Sequence, residues 1–189
     1  MDEVNKAWLG GDLNFYFKYK RKIIERKIKG KCLNVGCGGH IIPGAVNIDE
    51  NATNLPYKDN SFDTVILSDV IEHIKDWEKA LDEAIRVSKN KVIITVPAYM
   101  WLWSNYDKML GHYRRYEEKD IDRFLNKYPD VKYTVSYLFG PTLPLLWFRK
   151  FGSGKTPKLP GFIDDLLYAV SHLKMPFGST MMIEITKNK

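Results

Sequence analysis

The sequence has little cysteine: only Cys32 and Cys37 occur among its 189 residues. Small secreted domains that rely on disulfides carry more cysteines, so this composition excludes a disulfide framework, and we expect two reduced thiols. Together with His40, the two cysteines offer three metal ligands in one short segment. Such crowding, without a paired Cys-x-x-Cys motif, is weak evidence for zinc, and we predict no metal site.

The sequence also lacks a recognisable signal peptide and a long hydrophobic run. Its longest apolar stretch, residues 137–148, contains two prolines and is shorter than the about 20 residues that span a bilayer. A content of 44% apolar and 28% charged residues is typical of a globular domain. We therefore expect a single cytoplasmic domain over residues 1–189.

Positive charge is unevenly distributed in the chain, whose net charge is +6. Residues 1–31 contain nine basic and four acidic side chains. Apolar residues recur at helical spacing over residues 14–29, which predicts an amphipathic helix there. Its basic side can contact nucleic acid, a membrane surface or an anionic substrate, or it can simply be solvated, while its apolar side packs on the rest of the fold.

A glycine-rich turn follows a short apolar strand at residues 32–35. Gly36, Gly38 and Gly39 have no Cβ atom to keep a ligand away from the backbone, so this turn predicts a binding site. A dinucleotide-binding fingerprint requires a third glycine where Ile41 stands, so the dinucleotide interpretation is weak.

Residues 33–38, Leu-Asn-Val-Gly-Cys-Gly, resemble the first motif of class I S-adenosylmethionine-dependent methyltransferases. In that motif an acidic residue, one spacer and Gly-x-Gly end the first strand. Asn34 stands where the family has the acid, and His40 stands where it often has its last glycine. The resemblance implies that S-adenosylmethionine is bound by Asn34, Gly36, Cys37 and Gly38.

The next strand, residues 45–49, ends in Asp49, which can accept hydrogen bonds from the two ribose hydroxyls of a nucleotide. The loop before it is too short for the usual crossover helix, so we expect a compressed region after the first strand. Residues 51–63 are similar to a segment of ubiquinone- and menaquinone-biosynthesis methyltransferases (methyltransferase type 11). In those enzymes an Asp side chain and the next backbone N–H hold the adenine. In this sequence Asn51 and Ala52 occupy the two positions.

Residues 62–68 predict a buried strand, which brings Ser68 and Asp69 to a carboxyl strand end. The following Glu72-His73 resembles the Glu-His signature of the same family. The resemblance implies that Ser68, Asp69 and His73 border the cofactor. Asp69 and Glu72 are also weaker candidates for a catalytic base.

The remaining elements alternate between strand and helix patterns, with a helix near residues 77–87 and a strand at 92–96. The predicted fold is α/β: a Rossmann-like, doubly wound and mostly parallel sheet with an antiparallel C-terminal hairpin. Strands near 131–138 and 180–186 form that hairpin. An excursion over residues 137–176, with a helix at 163–173, separates them and is expected to cover the substrate.

Aromatic and basic residues after the strand at 92–96 are candidates for substrate binding: Tyr99, Trp103, Tyr113, Arg114 and Arg115. Aromatic rings can pack beside a sulfonium, and adjacent arginines suit a carboxylate or phosphate, although structural salt bridging is an equal alternative for them. His112 is the candidate general base, because an imidazole titrates near neutral pH. A helix over residues 117–127 follows.

The predicted function is methyl transfer from S-adenosylmethionine to a small or lipid-like, possibly anionic acceptor. A methyltransferase-like binding or scaffold protein without activity is the alternative, because Asn34, His40 and the short region before Asp49 depart from the family pattern. Nucleic-acid methylation ranks third: the basic helix permits it, but no Asn-Pro-Pro-Tyr or Asp-Pro-Pro-Tyr signature is present.

Overall fold

The computed structural model describes residues 14–143, 161–173 and 175–188. Their helices and strands, in chain order, are α1 Asn14–Lys27, β1 Cys32–Val35, β2 Val46–Ile48, β3 Phe62–Ser68, α2 Trp77–Val87, β4 Ser88–Pro97, α3 Asn105–Met109, α4 Glu118–Leu125, β5 Val131–Leu138, α5 Gly161–Val170 and β6 Thr180–Lys187. Short 3-10 helices lie at Ile71–His73, Met100–Leu102 and Gly140–Thr142. Within these ranges, no helix is long and apolar enough to cross a membrane.

The six strands form one sheet in the order β2-β1-β3-β4-β6-β5. The first four run parallel, β6 is antiparallel to β4, and β5 is antiparallel to β6. This is the α/β sheet with an antiparallel C-terminal hairpin that the sequence predicts. Because β1, β3 and β4 are parallel neighbours, their carboxyl ends meet at one edge of the sheet, which we call the carboxyl edge.

One face of the sheet is covered by α2 and α4. Apolar residues of α2 recur three or four positions apart, and they are buried: Trp77, Ala80, Leu81, Ala84, Ile85 and Val87. They pack with strand residues such as Val65, Leu67 and Ile94, none of which is exposed. Burial of one such aliphatic side chain stabilises the fold by about 1.5–3 kcal/mol. This core holds β3 and β4 in register.

The opposite face is covered by α1. Its Phe15 and Ile24 are buried in one cluster with Ile66 and Ile93, which alternate along their strands with the residues of the first core. The structure describes this helix from Asn14, the first described residue, to Lys27, two residues short of the predicted end at residue 29. Gly30, with φ of +65°, then turns the chain into β1.

The predicted excursion lies partly outside the described residues, since residues 144–160 and 174 belong to it. Its described helix, α5, covers residues 161–170 instead of the predicted 163–173. This helix packs on α1: the rings of Tyr19 and Tyr168 lie 6.1 Å apart, and Lys22 Nζ donates to the Tyr168 hydroxyl at 3.0 Å. That the excursion closes over a substrate stays a prediction.

The region after β1 is compressed, as the sequence predicts. Residues 36–61, all of which the structure describes, contain β2 but no helix. The side chain of Asn47 closes the short connection instead: its Nδ2 donates to the carbonyls of Ile42 and Ala45 at 3.0 and 2.9 Å, and its Oδ1 accepts from the Ile42 N–H at 2.9 Å. A few side-chain hydrogen bonds thus replace the packing of a crossover helix.

Candidate active site

The glycine turn, residues 36–39, lies at the carboxyl edge directly after β1. Gly36 has a φ of +64°, and a Cβ atom built on it would lie 2.7 Å from a methyl carbon of Val70. Glycine is therefore required here by backbone conformation and by packing, independently of any ligand. The Cys37 N–H donates to the carbonyl of Ile48 at 3.1 Å, and the Gly38 N–H donates to Asp49 Oδ1 at 2.7 Å. These bonds join the turn to the end of β2.

Asn34 was predicted to bind the cofactor, but the structure gives it a different contact set. Its side chain is buried in β1, and its Nδ2 donates to the carbonyl of His40 at 3.0 Å and to Asn47 Oδ1 at 2.9 Å. An amide nitrogen has two hydrogens, so both are used within the chain. Asn34 positions the turn that contains the predicted ligand contacts.

Asn51 lies on the surface just after Asp49, and its Oδ1 accepts hydrogen bonds from the N–H and hydroxyl of Thr53, at 3.0 and 2.8 Å. This is an Asx-type turn, in which the side-chain oxygen caps the following backbone. The oxygen predicted to bind adenine is therefore already hydrogen-bonded. Ala52, whose backbone N–H was predicted to hold the adenine, is buried.

Ser68 and Asp69 lie at the end of β3, where the sequence places them. The hydroxyls of Ser68 and Thr95 are 3.0 Å apart, and Thr95 Oγ1 donates to Asp69 Oδ1 at 2.9 Å. Asp69 Oδ2 forms an ion pair with Lys20 of α1, and both side chains are less than a tenth exposed. Asp69 has a φ of +55°, which is an uncommon conformation for a non-glycine residue. The Asp69 carboxylate is thus held by Thr95 of β4 through one oxygen and by Lys20 of α1 through the other.

A second polar cluster centres on Asp107, which is fully buried at the start of α3. Ser104 and Asp107 form a capping box, in which the Ser104 N–H and hydroxyl donate to Asp107 Oδ2 at 2.9 and 3.0 Å. Burial raises the pKa of Asp107, but hydrogen bonds from His112 and Arg115 more than offset this and bring it to about 2. The carboxylate is thus charged and fully partnered.

Arg115 was a candidate for binding an anionic acceptor, and the structure assigns it to the Asp107 cluster. Its Nε and Nη2 donate to Asp107 at 2.8 and 3.1 Å, and its Nη1 donates to the carbonyl of Ala98 at 3.1 Å. Arg114 Nη2 donates to the carbonyl of Lys75 at 2.9 Å, and the Tyr113 ring is exposed. Of the two alternatives for the arginines, this arrangement favours structural bonding.

Glu72, His73 and His112 come together beside Asp69. The rings of His73 and His112 lie 4.6 Å apart in an edge-to-face contact. His112 Nδ1 donates to Asp107 Oδ1 at 3.0 Å, while His112 Nε2 and Glu72 Oε2 are buried without a hydrogen-bond partner among the described residues. Burial, with the charge of Asp69 added, raises the pKa of Glu72 well above its ordinary value.

The predicted aromatic residues are partly engaged with each other. The Tyr99 ring stacks on Tyr137 at 5.6 Å and on Trp101 at 5.8 Å, and its backbone has a φ of +62°. Trp103 is half-buried just beyond the short 3-10 helix, in a stretch that the sequence presented as a loop. Tyr99 therefore lies against the end of β5, where an aromatic wall borders the carboxyl edge.

Residues 41–96 match a family model described as a methyltransferase domain. The norajmaline N-methyltransferase of Rauvolfia serpentina is 45% identical over 49 residues, which are 26% of this chain and 17% of that protein. An uncharacterised protein of Methanocaldococcus jannaschii is 35% identical over 89 residues, 47% of this chain and 29% of that protein. The matches thus span less than a third of the length of these curated relatives.

A solved S-adenosylmethionine-dependent methyltransferase of Thermotoga maritima, described as a possible histamine N-methyltransferase, has the same architecture. It aligns with a TM-score of 0.60 at 18% identity, over 91% of this chain and 89% of that one. The chain has a class I methyltransferase fold. The family match confirms the resemblance seen at Asp49 and the Glu-His segment, and in this fold both lie with the glycine turn at the carboxyl edge.

Sequence reasoning missed two residues of this candidate site. Lys20 belongs to a basic helix, and nothing in its spacing indicated that it turns inward to Asp69. Asp107, by contrast, had a detectable signal: Ser104 and Asp107 have the Ser-x-x-acid spacing of a capping box, which predicts a short helix where a loop was expected.

Proposed function

We propose that this protein transfers the methyl group of S-adenosylmethionine to a small-molecule acceptor. One observation supports this above all: the match of residues 41–96 to the methyltransferase family includes Asp49 and the segment 68–73, and the fold gathers both at the carboxyl edge. Open α/β sheets bind their ligands at this edge.

The residues there fit the cofactor in chemistry. Asp49 is exposed at the end of β2, and its carboxylate has lone pairs for ribose hydroxyls besides the one that the Gly38 N–H uses. The backbone of Ala52 lies three residues after Asp49 and would border the adenine. When bound, S-adenosylmethionine supplies an electrophilic methyl carbon on a sulfonium; the chain's task is to hold an acceptor atom in line with it.

His112 offers the chemistry for an acceptor that carries a proton. Because its Nδ1 faces Asp107, the proton of the neutral ring belongs on Nδ1, and Nε2 keeps a free lone pair. That lone pair is buried and has no partner in the described part of the chain. It can take the proton of an acceptor hydroxyl or amine as the methyl group is transferred.

The contacts of α1 argue against a nucleic-acid substrate. Lys20 pairs with Asp69 and Lys27 pairs with Glu184, so these two cations act inside the fold. Lys18 and Lys22 lie 5.1 and 5.7 Å from the ring centre of Tyr168, which is a packing contact. Binding to RNA or DNA that weakens steeply with salt would overturn this proposal in favour of the nucleic-acid alternative.

Calorimetry on the full chain with S-adenosylmethionine and S-adenosylhomocysteine tests the cofactor. We expect dissociation constants in the micromolar range or tighter, equivalent to about −8 kcal/mol. Asp49→Ala should weaken binding by about 1–3 kcal/mol, because the ribose hydroxyls lose a charged acceptor. Glu50→Ala removes the same charge one residue away and should change little. If neither ligand binds the wild type at millimolar concentration, the scaffold alternative replaces this proposal.

A further inference from the structure

Glu72, His73 and His112 form a compact group of metal-ligand type. Each offers one atom, a carboxylate oxygen or a ring nitrogen, and these atoms all lie within 4.8 Å of one another. Glu72 and His73 come from the 3-10 helix after β3, and His112 lies 39 residues further along, before α4. The expectation of no metal site rested on Cys32, Cys37 and His40, which have no part in this group.

His112 is held in the orientation that a metal ligand needs. Its Nδ1 donates to Asp107, and Asp107 is fixed in turn by Arg115 and Ser104. Histidines that bind metals usually donate their second ring nitrogen to a carboxylate or a carbonyl, which fixes the tautomer and the ring direction. In His112 this second contact is the hydrogen bond from Nδ1 to Asp107, so Nε2 is the atom left to bind a metal ion.

His73 is arranged similarly. Its ring is in hydrogen-bonding contact with the backbone of Leu110, and it lies edge-to-face against the ring of His112. One ring nitrogen is thus engaged by the backbone, and a ring nitrogen of His73 lies within 4.8 Å of the ligand atoms of Glu72 and His112. Two imidazoles side by side can share one cation.

Glu72 is the acidic member of the group and offers a carboxylate oxygen to a cation. Its side chain is 1% exposed, and its Oε2 has no partner within the described ranges. The nearby ionic groups already form ion pairs with other partners: Lys20 with Asp69, and Arg115 with Asp107. Buried polar atoms in folded proteins are almost always partnered, so two orphan atoms facing one small space indicate a missing partner.

We propose that Glu72, His73 and His112 bind a divalent transition-metal cation. Two imidazoles and one carboxylate favour ions such as Mn²⁺, Fe²⁺, Co²⁺, Ni²⁺ or Zn²⁺ over Mg²⁺ and Ca²⁺, which prefer oxygen ligands. Three protein ligands leave coordination positions open. A small acceptor can enter them, which limits the acceptor to molecules with an oxygen or nitrogen that binds such an ion.

The role of the cation in catalysis rests on the proposed function. A cation held by Glu72, His73 and His112 would stabilise the oxyanion of an acceptor hydroxyl whose proton goes to water. The oxygen then forms the new bond to the methyl carbon, the bond between sulfur and that carbon breaks, and S-adenosylhomocysteine leaves. With a cation bound, His112 Nε2 would hold the cation, and water would take the proton that the proposed function assigns to His112 when no cation is present.

Cation binding is tested without any assay of activity. The full-length protein is treated with a chelator, dialysed, and titrated with Co²⁺ while visible absorption is recorded; Mn²⁺, Zn²⁺ and Mg²⁺ are titrated by calorimetry. We expect one equivalent of Co²⁺ to give ligand-field bands, and Mg²⁺ to bind at least tenfold more weakly than Zn²⁺. Glu72→Gln and His73→Asn should each weaken binding at least tenfold. His172→Gln, which changes an exposed histidine on the far side of α1, should bind as the wild type does.

Wild-type protein alone can refute the proposal, whatever the variants do. Absence of a stoichiometric Co²⁺ complex, or a complex whose paramagnetically shifted proton spectrum lacks histidine ring signals, would show that Glu72 is simply a protonated acid beside His112. Equal binding by wild type, Glu72→Gln and His73→Asn would do the same. Cation binding with no binding of S-adenosylhomocysteine would instead remove the proposed function and leave the metal site standing.

Discussion

Lys20 of α1 and Asp69 at the end of β3 form an ion pair across the carboxyl edge, with side chains only 6% and 9% exposed. The same ammonium lies 4.7 Å from the ring centre of Tyr16, and Tyr16 hydrogen-bonds to Thr180 of β6 at 2.9 Å. Burial, followed by the charge of Asp69, raises the pKa of the Tyr16 phenol well above its ordinary value. One buried pair thus connects the N-terminal helix with the two central strands and the last one.

Replacing Lys20 by methionine should destabilise the protein by about 3–5 kcal/mol, because Asp69 keeps a buried charge without its partner. The double variant Lys20→Met with Asp69→Asn should recover much of the loss. Arg21→Ala, which breaks an exposed pair with Glu25 on the same helix, should cost less than about 1 kcal/mol. Urea unfolding of the four proteins measures these differences, and equal costs for Lys20→Met and Arg21→Ala would disprove the buried pair.

Arg115→Ala should act on stability more than on acceptor affinity. Its guanidinium is only 13% exposed and donates twice to Asp107, so removing it leaves a fully buried carboxylate with fewer partners, at a cost of about 3–5 kcal/mol. Arg114→Ala, which loses one exposed bond to a carbonyl, should cost under about 1 kcal/mol. Thermal unfolding of both variants is the measurement. A stable Arg115→Ala protein with a raised KM would restore the role in substrate binding.

Gly36→Ala and Gly44→Ala separate the two reasons for glycine after β1. Both residues have positive φ, +64° and +77°, so alanine costs each about 1 kcal/mol or more in backbone strain. Only at Gly36 does the new Cβ also meet Val70, whereas no described atom lies within 4 Å of one at Gly44. We expect Gly36→Ala to be the more destabilising by at least about 1 kcal/mol, as measured by denaturant midpoints. Equal losses would mean that Val70 moves aside freely.

Alkaline pH should destabilise the protein in part through Cys32. Burial raises the pKa of this thiol from 9.0 to about 11, so the folded state holds its proton where the unfolded state releases it. Its contribution to stability is complete below pH 9 and is lost as pH rises to about 11, by about 2–3 kcal/mol in all. Cys32→Ala should show a shallower decline of unfolding free energy over this range. Parallel curves for the two proteins would rule out the contribution.

The fold could be predicted because its elements are encoded locally. β3 contains a run of β-branched and apolar residues, Thr64 to Leu67, and α2 repeats its apolar positions at helical spacing, so each is recognisable within about ten residues. The family resemblance then ordered these elements into a sheet. The ends of the elements were less predictable. Helix α1 ends two residues before its predicted end, and α3 lies in an aromatic stretch that was predicted to be a loop.

The site was harder to predict because its contacts join distant segments. Lys20 and Asp69 are 49 residues apart, and no periodic pattern relates them. Asn34 and Arg115 have the right chemistry for ligands, yet nearby groups occupy their hydrogen bonds, which depends on the short connection at Asn47 and on the capping box at Ser104. Whether a polar side chain serves a ligand or the fold depends on tertiary neighbours that the linear sequence does not specify.

The contact between α1 and β6 also has a consequence for how the chain folds. Lys27 and Glu184 are joined across 157 residues, and Tyr16 reaches Thr180 across 164. During synthesis α1 leaves the ribosome long before β6 exists, and closing so long a loop is entropically costly. The polar contacts between α1 and β6 can therefore form only after the last strand has been made, whereas Phe15 and Ile24 can already pack on Ile66 and Ile93 of the earlier strands. The pairs Lys27–Glu184 and Tyr16–Thr180 thus fasten an early helix to the last strand, so their loss should loosen α1 without removing its apolar contacts with β3 and β4.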